Sequence, residues 1–108
     1  MQRKEEFSRR QISDICVDFA RSHGLSYEQD DLNNVIIFKG ASEGYEESEP
    51  VILQGHLDMV CAKDPDCTKD MATEPIELYV DGDCLRARGT SLGGDNIIAV
   101  AMIMAILD

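Results

Sequence analysis

Three side chains in this sequence could serve a metal site: His56, Asp58 and Asp95. The first two lie in Val51-Ile-Leu-Gln-Gly-His-Leu-Asp-Met59, which reads as a short buried strand, Val51 to Leu53, running out into Gly55, His56 and Asp58. Strand side chains alternate faces, so His56 and Asp58 project to the same side. A carboxylate that holds one ring nitrogen of a histidine leaves the other nitrogen free for a metal. Open α/β sheets place their sites at the carboxyl ends of strands, where this pair sits. Taken alone, a solvated histidine and aspartate at a strand end explain the pattern equally well. Asp95 stands where the glycine-rich stretch Gly89-Thr-Ser-Leu-Gly-Gly-Asp-Asn96 enters an apolar segment. An aspartate in that place is most often a helix N-cap. With a His-x-Asp strand end upstream, however, the set looks like part of a two-metal hydrolytic site, because each carboxylate oxygen can face one cation. A phosphate-cradling loop fits Gly93-Gly94 poorly, since no lysine follows and no G-x-G-x-x-G is present.

The elements that must position these residues fit one modest domain. The chain has 108 residues, 44% of them hydrophobic, and ten basic against 21 acidic side chains give a net charge of -11. That balance repels nucleic acid and anionic membrane and suits cation binding or plain solubility. No basic stretch followed by an apolar core opens the sequence, so no signal peptide is expected. The longest apolar run, Ile97 to Leu107, is about half of what a membrane span requires. Cys16, Cys61, Cys67 and Cys84 include no C-x-x-C pair. They read as reduced thiols of a cytosolic protein rather than a disulfide framework.

In chain order, a helix is expected from Phe7 or Ser8 to His23, after a charged and frayed start over residues 1–10. Ile12, Ile15, Cys16 and Phe19 form its apolar stripe at i, i+3, i+4, i+7. Gly24 is its C-terminal cap, and His23 suits the last turn through the helix dipole. Leu25 to Gln29 and Asn34 to Lys39 read as two strands joined by Asp30-Asp31-Leu32-Asn33. Ala41 to Pro50 is a solvated acidic loop, followed by the His-x-Asp segment. Val60 to Pro75 is a long irregular connection, of the kind that is functional or mobile. Ile76 to Val80 and Cys84 to Arg88 form a hairpin around Asp81-Gly82-Asp83. The segment from Ile97 to Leu107 is apolar all round and should be a helix buried between layers.

Three blocks in this order resemble one family. They are Pro50-Val-Ile-Leu-Gln-Gly-His-Leu-Asp-Met-Val-Cys61, Pro75-Ile-Glu-Leu-Tyr-Val-Asp-Gly-Asp83 and Ala87-Arg-Gly-Thr-Ser-Leu-Gly-Gly-Asp-Asn96. The family is the aminoacyl-histidine dipeptidases (Xaa-His dipeptidases, peptidase D), within the zinc peptidase superfamily that includes carnosinases and aminoacylases. The resemblance runs from about Ile12 to Asp108. It implies that His56 ligates one metal, that Asp58 is the catalytic-site acid orienting His56, and that Asp95 bridges both metals. Zinc is the implied cofactor, two divalent ions in the complete site, with cobalt or manganese as substitutes. A metal-activated water, with a glutamate base, would attack the peptide carbonyl.

Two departures bear on these expectations. Family members run to several hundred residues, so the glutamate base, the remaining carboxylate ligands and a late histidine would lie beyond Asp108. The family also continues Asp-Asn-Gly, whereas Ile97 follows Asn96 here. In the superfamily the peptide after the bridging aspartate is usually cis. The chain is therefore expected to be the N-terminal part, residues 1–108, of an α/β, mixed-sheet metallopeptidase catalytic domain built from helix, strands, hairpin and buried helix. Its activity would be zinc-dependent hydrolysis of small peptides, Xaa-His dipeptides, in the cytoplasm, with the 108-residue chain alone inactive. The alternative is a truncated, non-enzymatic remnant or interaction module that keeps the peptidase fold signature. Neither nucleic acid nor membrane is an expected partner. Self-association through the apolar helix 97–107 is expected.

Overall fold

Helix α1, Gln2–Ser22, opens the chain in a computed structural model that describes residues 2–71 and 73–108, with side chains from Arg9 onward. It starts earlier than the expected Phe7 or Ser8. Its buried face is also one residue round from the expected stripe. Ser13, Cys16, Val17 and Ala20 are buried, again at i, i+3, i+4, i+7, whereas Ile15 is 55% exposed. The helix packs on the hairpin of β1 (Ser26–Gln29) and β2 (Val35–Phe38). Small groups at Ser13 and Ala20 permit close approach, and a periodicity count that favours large apolar residues passes over them. The Ser13 hydroxyl accepts a hydrogen bond from Gln29 Nε2 at 2.8 Å, so burial leaves it partnered. Burial also pushes the Cys16 thiol up from its ordinary value.

The end of α1 is closed by a Schellman motif. Leu25 N donates to Ala20 O at 2.9 Å and Gly24 N to Arg21 O at 3.1 Å. Gly24 has φ 65, which glycine adopts without a Cβ clash, and the chain then turns back along the helix as β1. β1 and β2 pair antiparallel with Tyr27 opposite Ile37 and Gln29 opposite Val35. These four half-buried side chains form the sheet face on the α1 side, while Ile36 and Phe38 point outward. Asp30 ties the connecting turn: Oδ1 accepts from Leu32 N at 3.0 Å and Asn34 N at 2.8 Å, and Oδ2 accepts from Asn34 Nδ2 at 2.9 Å. These bonds, the Asn34 side chain first, hold the Asp30 carboxyl below its usual range.

The second hairpin joins β3 (Leu78–Asp81) to β4 (Cys84–Ala87), antiparallel, with Asp81 opposite Cys84. Its two-residue turn is therefore Gly82-Asp83, within the expected Asp81-Gly82-Asp83. Arg88 extends the pairing, with its amide on Glu77 O at 2.9 Å and its guanidinium on Glu77 Oε1 at 3.1 Å. Among the described residues the cysteines are free, Cys16 buried and Cys61 and Cys84 exposed.

Three expectations need correction. The mixed sheet is absent among the described residues, which form two separate antiparallel hairpins. Val51 to Leu53 is neither a paired strand nor buried: Val51 is 80%, Ile52 90% and Leu53 44% exposed. A strand needs a neighbour for its backbone groups, and neither hairpin pairs with this segment. Helix α2, Gly94–Leu107, is likewise not buried between layers, and none of its residues is fully buried. It lies with Ile97, Val100, Ile103, Met104 and Leu107 half-covered and with Ile98, Met102 and Ile106 outward, at 58%, 59% and 63% exposure. The reason is overall shape. The radius of gyration is 16.6 Å, against about 13 Å for a compact domain of this length, and the extents are 56 × 37 × 21 Å. Among the described residues, no helix is long and apolar enough to cross a membrane.

The shifted face of α1 is open to test. Ala20→Leu should cost about 1–3 kcal/mol through overpacking, whereas Ile15→Ala should stay within about 0.5 kcal/mol. Urea unfolding of both variants checks this, and a larger loss for Ile15→Ala would restore the stripe expected from periodicity.

Candidate metal centre

The segment from Gly55 to Met59 keeps the side-chain alternation of a strand although no strand pairs with it. His56 and Asp58 are exposed on one side, and Leu57 and Met59 are half-buried on the other. Alternation is a property of extended backbone and survives without a ladder. Directly afterwards the chain is tied to the glycine-rich loop. Asp64 N donates to Gly89 O at 2.8 Å, Ser91 N to Ala62 O at 2.8 Å, and Lys63 bridges Thr90 in antiparallel fashion. Ser91 adds its side chain, with Oγ donating to Val60 O at 2.6 Å and accepting from Ala62 N at 3.2 Å. Ser91 lies within a block that the resemblance singles out, but sequence reasoning assigned it no task. It holds the two halves of the site in register.

From Ser91 the chain must fold back over Met59. Gly93 makes that turn with φ 79, and a Cβ there would lie 2.8 Å from Met59 Sδ. Glycine is thus required twice, by conformation and by space. A second close approach is at Gly55, where a Cβ would meet Ala99 Cβ at 3.3 Å. The His56 segment and the first turns of α2 therefore lie backbone against side chain.

The helix does not begin at Asp95 in the ordinary way. Its N-cap is Gly93, with no side-chain cap, and Ile97 N reaches Gly93 O at 3.2 Å. Asp95 (φ -94, ψ 97) and Asn96 (φ -130, ψ 37) are non-helical, and the Asp95–Asn96 peptide is cis. The N-cap explanation of Asp95 thus fails. Its carboxylate turns away from the helix amides and faces His56, with Oδ1 3.0 Å from Nε2. The cis peptide is the one the resemblance implies, with Ile97 after Asn96.

His56 is held at both nitrogens. Nδ1 lies 3.0 Å from the Asp58 carbonyl oxygen and 3.3 Å from Asp58 Oδ1. The backbone carbonyl is the nearer partner, so Asp58 engages the ring twice, where the sequence suggested its carboxylate alone. The hydrogen bond to Asp95 first, and the Asp58 carbonyl second, push the His56 imidazole above its ordinary value. A proton on Nε2 thus occupies the point that both His56 and Asp95 face. A cation presented there would meet a nitrogen and a carboxylate oxygen, a donor pair suited to zinc. The Asp95 side chain is 96% exposed, so that point is open to solvent. Among the described residues, no group of three or more His, Cys, Asp or Glu side chains gathers at one point. The donors fit a metal, but they supply only part of a coordination shell. His23 stands apart from this centre, at the far end of α2.

Metal and proton compete for the same nitrogen, which fixes the sign of a pH dependence. Zinc binding at His56 should strengthen as pH rises through the raised imidazole value, about tenfold per pH unit below it. Asp95→Ala should abolish that site yet change unfolding stability by no more than about 1 kcal/mol, since the carboxylate caps nothing and its ion pair is exposed. Calorimetric zinc titrations at several pH values, with urea unfolding of the variant, check both statements. Destabilisation well beyond that limit would return Asp95 to a structural role.

No family model matches the chain. Over 97 residues it is 42% identical to the cytosol non-specific dipeptidase of Escherichia coli (strain K12), a match covering 90% of this chain and 20% of that protein. Among solved structures it is similar to the aminoacylhistidine dipeptidase of Vibrio alginolyticus, with a TM-score of 0.84 and 38% identity, again over 90% of this chain and 20% of the other. The chain spans about a fifth of the length of the relatives it matches. Over that fifth the agreement holds in sequence and in fold together: the chain resembles a segment of the aminoacylhistidine dipeptidases.

Proposed function

We propose that this chain supplies one share of the centre of a metal-dependent dipeptide hydrolase, as the amino-terminal segment of its catalytic domain. The observation that carries this reading is the approach of His56 Nε2 to Asp95 Oδ1 at 3.0 Å from positions 39 residues apart. Both dipeptidases named above support the reaction class. In it, His56 offers Nε2 to a cation while the Asp58 carbonyl and carboxylate hold the Nδ1 proton and fix the ring. Asp95 offers its carboxylate, in the family's role of a bridge between two metals. Zinc is the metal this donor set suits, with cobalt or manganese as substitutes. When bound, such ions yield a water nucleophile near neutral pH and polarise the scissile carbonyl. The substrates are small peptides, Xaa-His dipeptides among them, and the setting is cytoplasmic, like that of the Escherichia coli relative. Self-association through residues 97–107, expected from composition, finds support neither in the fold nor in the relatives' names.

A graft tests this directly. The chain should replace the matching fifth of the Escherichia coli dipeptidase and leave a zinc-dependent enzyme. In that graft His56→Ala and Asp95→Ala should each reduce hydrolysis of a Xaa-His dipeptide by about 100-fold or more, and Asp58→Asn by about 10- to 100-fold. The 108-residue chain by itself should show no hydrolysis. A folded graft whose activity ignores His56 and Asp95 would refute the assignment.

A further inference from the structure

Away from the metal centre, the carboxyl ends of α1 and α2 meet at a single imidazole. His23 Nδ1 lies 2.9 Å from the Phe19 carbonyl oxygen of α1, and Nε2 lies 2.7 Å from Asp108 Oδ1 just past α2. Both neighbours are acceptors. Only the doubly protonated ring can donate to both, and either neutral tautomer turns a ring lone pair toward an oxygen. The nearby Ser22 hydroxyl lies 2.9 Å from Phe19 O and 3.1 Å from Nδ1, donating to the carbonyl beside a protonated Nδ1 and able to turn to Nδ1 once that nitrogen loses its proton. The ring is also fixed in place, stacked on Phe19 with centroids 4.1 Å apart and its side chain 28% exposed.

We propose that His23 is a protonation-dependent latch, holding the carboxyl end of α2 to α1 firmly when the imidazole is charged and loosening it when neutral. The Phe19 carbonyl first and Asp108 second raise its titration above the ordinary value of about 6.5. Lys39, from the end of β2, is the opposing charge. Its ammonium donates to Leu107 O at 2.9 Å, a second tether at the same end of α2 that does not pass through the imidazole. His23 supplies the part that switches. The sign follows from the raised value. The latch is fully held below the ordinary histidine value and is lost as pH rises through the raised one. No side chain of α2 is fully buried, so these polar contacts add to the half-covered packing of Ile103, Met104 and Leu107 in holding its last turn.

Hydrogen exchange of the last-turn amides, Met104 to Leu107, tests the latch in the 108-residue chain. After correction for intrinsic rates, protection should fall roughly two- to fivefold between about pH 5.5 and about pH 8.5, the weight of one partly exposed ion pair. His23→Gln and Asp108→Asn should each remove that fall at these amides, and Asp108→Asn should also lower the NMR titration midpoint of His23. Asp108 is 73% exposed, so its amide variant keeps the fold even if His23→Gln does not. His56, at the other end of α2, titrates in all three proteins, and its effect cancels in the comparison. An unchanged fall in Asp108→Asn, or no fall in the unaltered chain, would overturn the proposal.

Discussion

The placement of α2 rests on the covering of one apolar side and on two sets of contacts at its start. One is the close approach of Gly55 to Ala99 and of Gly93 to Met59. The other is the polar contact of His56 with Asp95 at 3.0 Å. Magnitudes divide the work between them. An exposed ion pair contributes at most about 1 kcal/mol. Half-covering several side chains the size of Val100, Ile103 and Leu107 contributes more, since full burial of each is worth roughly 1.5–3 kcal/mol. Packing through glycine-sized gaps therefore places the helix, and the ion pair aims the carboxylate. A site built this way tolerates loss of its polar contact without losing its geometry, as the proposed exchange of a proton for a metal would require.

What was legible in the sequence follows from where the information resides. The turns and caps were readable because their residues act locally: Gly24 ends α1, Asp30 ties the first hairpin, and Gly82 closes the second. The shared side of His56 and Asp58 was readable as well, because alternation belongs to the backbone alone. Burial was not readable. The buried face of α1 turned on small residues, Ser13 and Ala20, which a search for large apolar side chains passes over. Val51 to Leu53 has the composition of an inner strand but lacks a flanking strand here, and composition cannot supply one. The wholly apolar α2 suggested burial on every side, yet in this extended chain only one side is covered.

The site itself was half legible. Asp95 at the mouth of a helix has an ordinary explanation as an N-cap, and nothing local in the sequence excludes it. The geometry does, because Gly93 starts the helix and Asp95 stands outside the helical conformation. That His56 and Asp95 meet depends on a path closed by hydrogen bonds from Val60 to Asp64 onto Gly89 to Ser91, a long-range feature that no local pattern in the sequence encodes. The 0.84 TM-score over nine-tenths of the chain shows that the same path is shared with a dipeptidase of known structure.

The central claim is that His56 and Asp95 present their donors to one divalent cation. The most direct measurement is anomalous diffraction at the zinc edge from crystals of the chain grown with zinc above neutral pH. A peak about 2.0–2.2 Å from both His56 Nε2 and an Asp95 carboxylate oxygen is expected. A peak on the exposed thiols of Cys61 or Cys84, with the His56–Asp95 contact still closed by a proton, would contradict it.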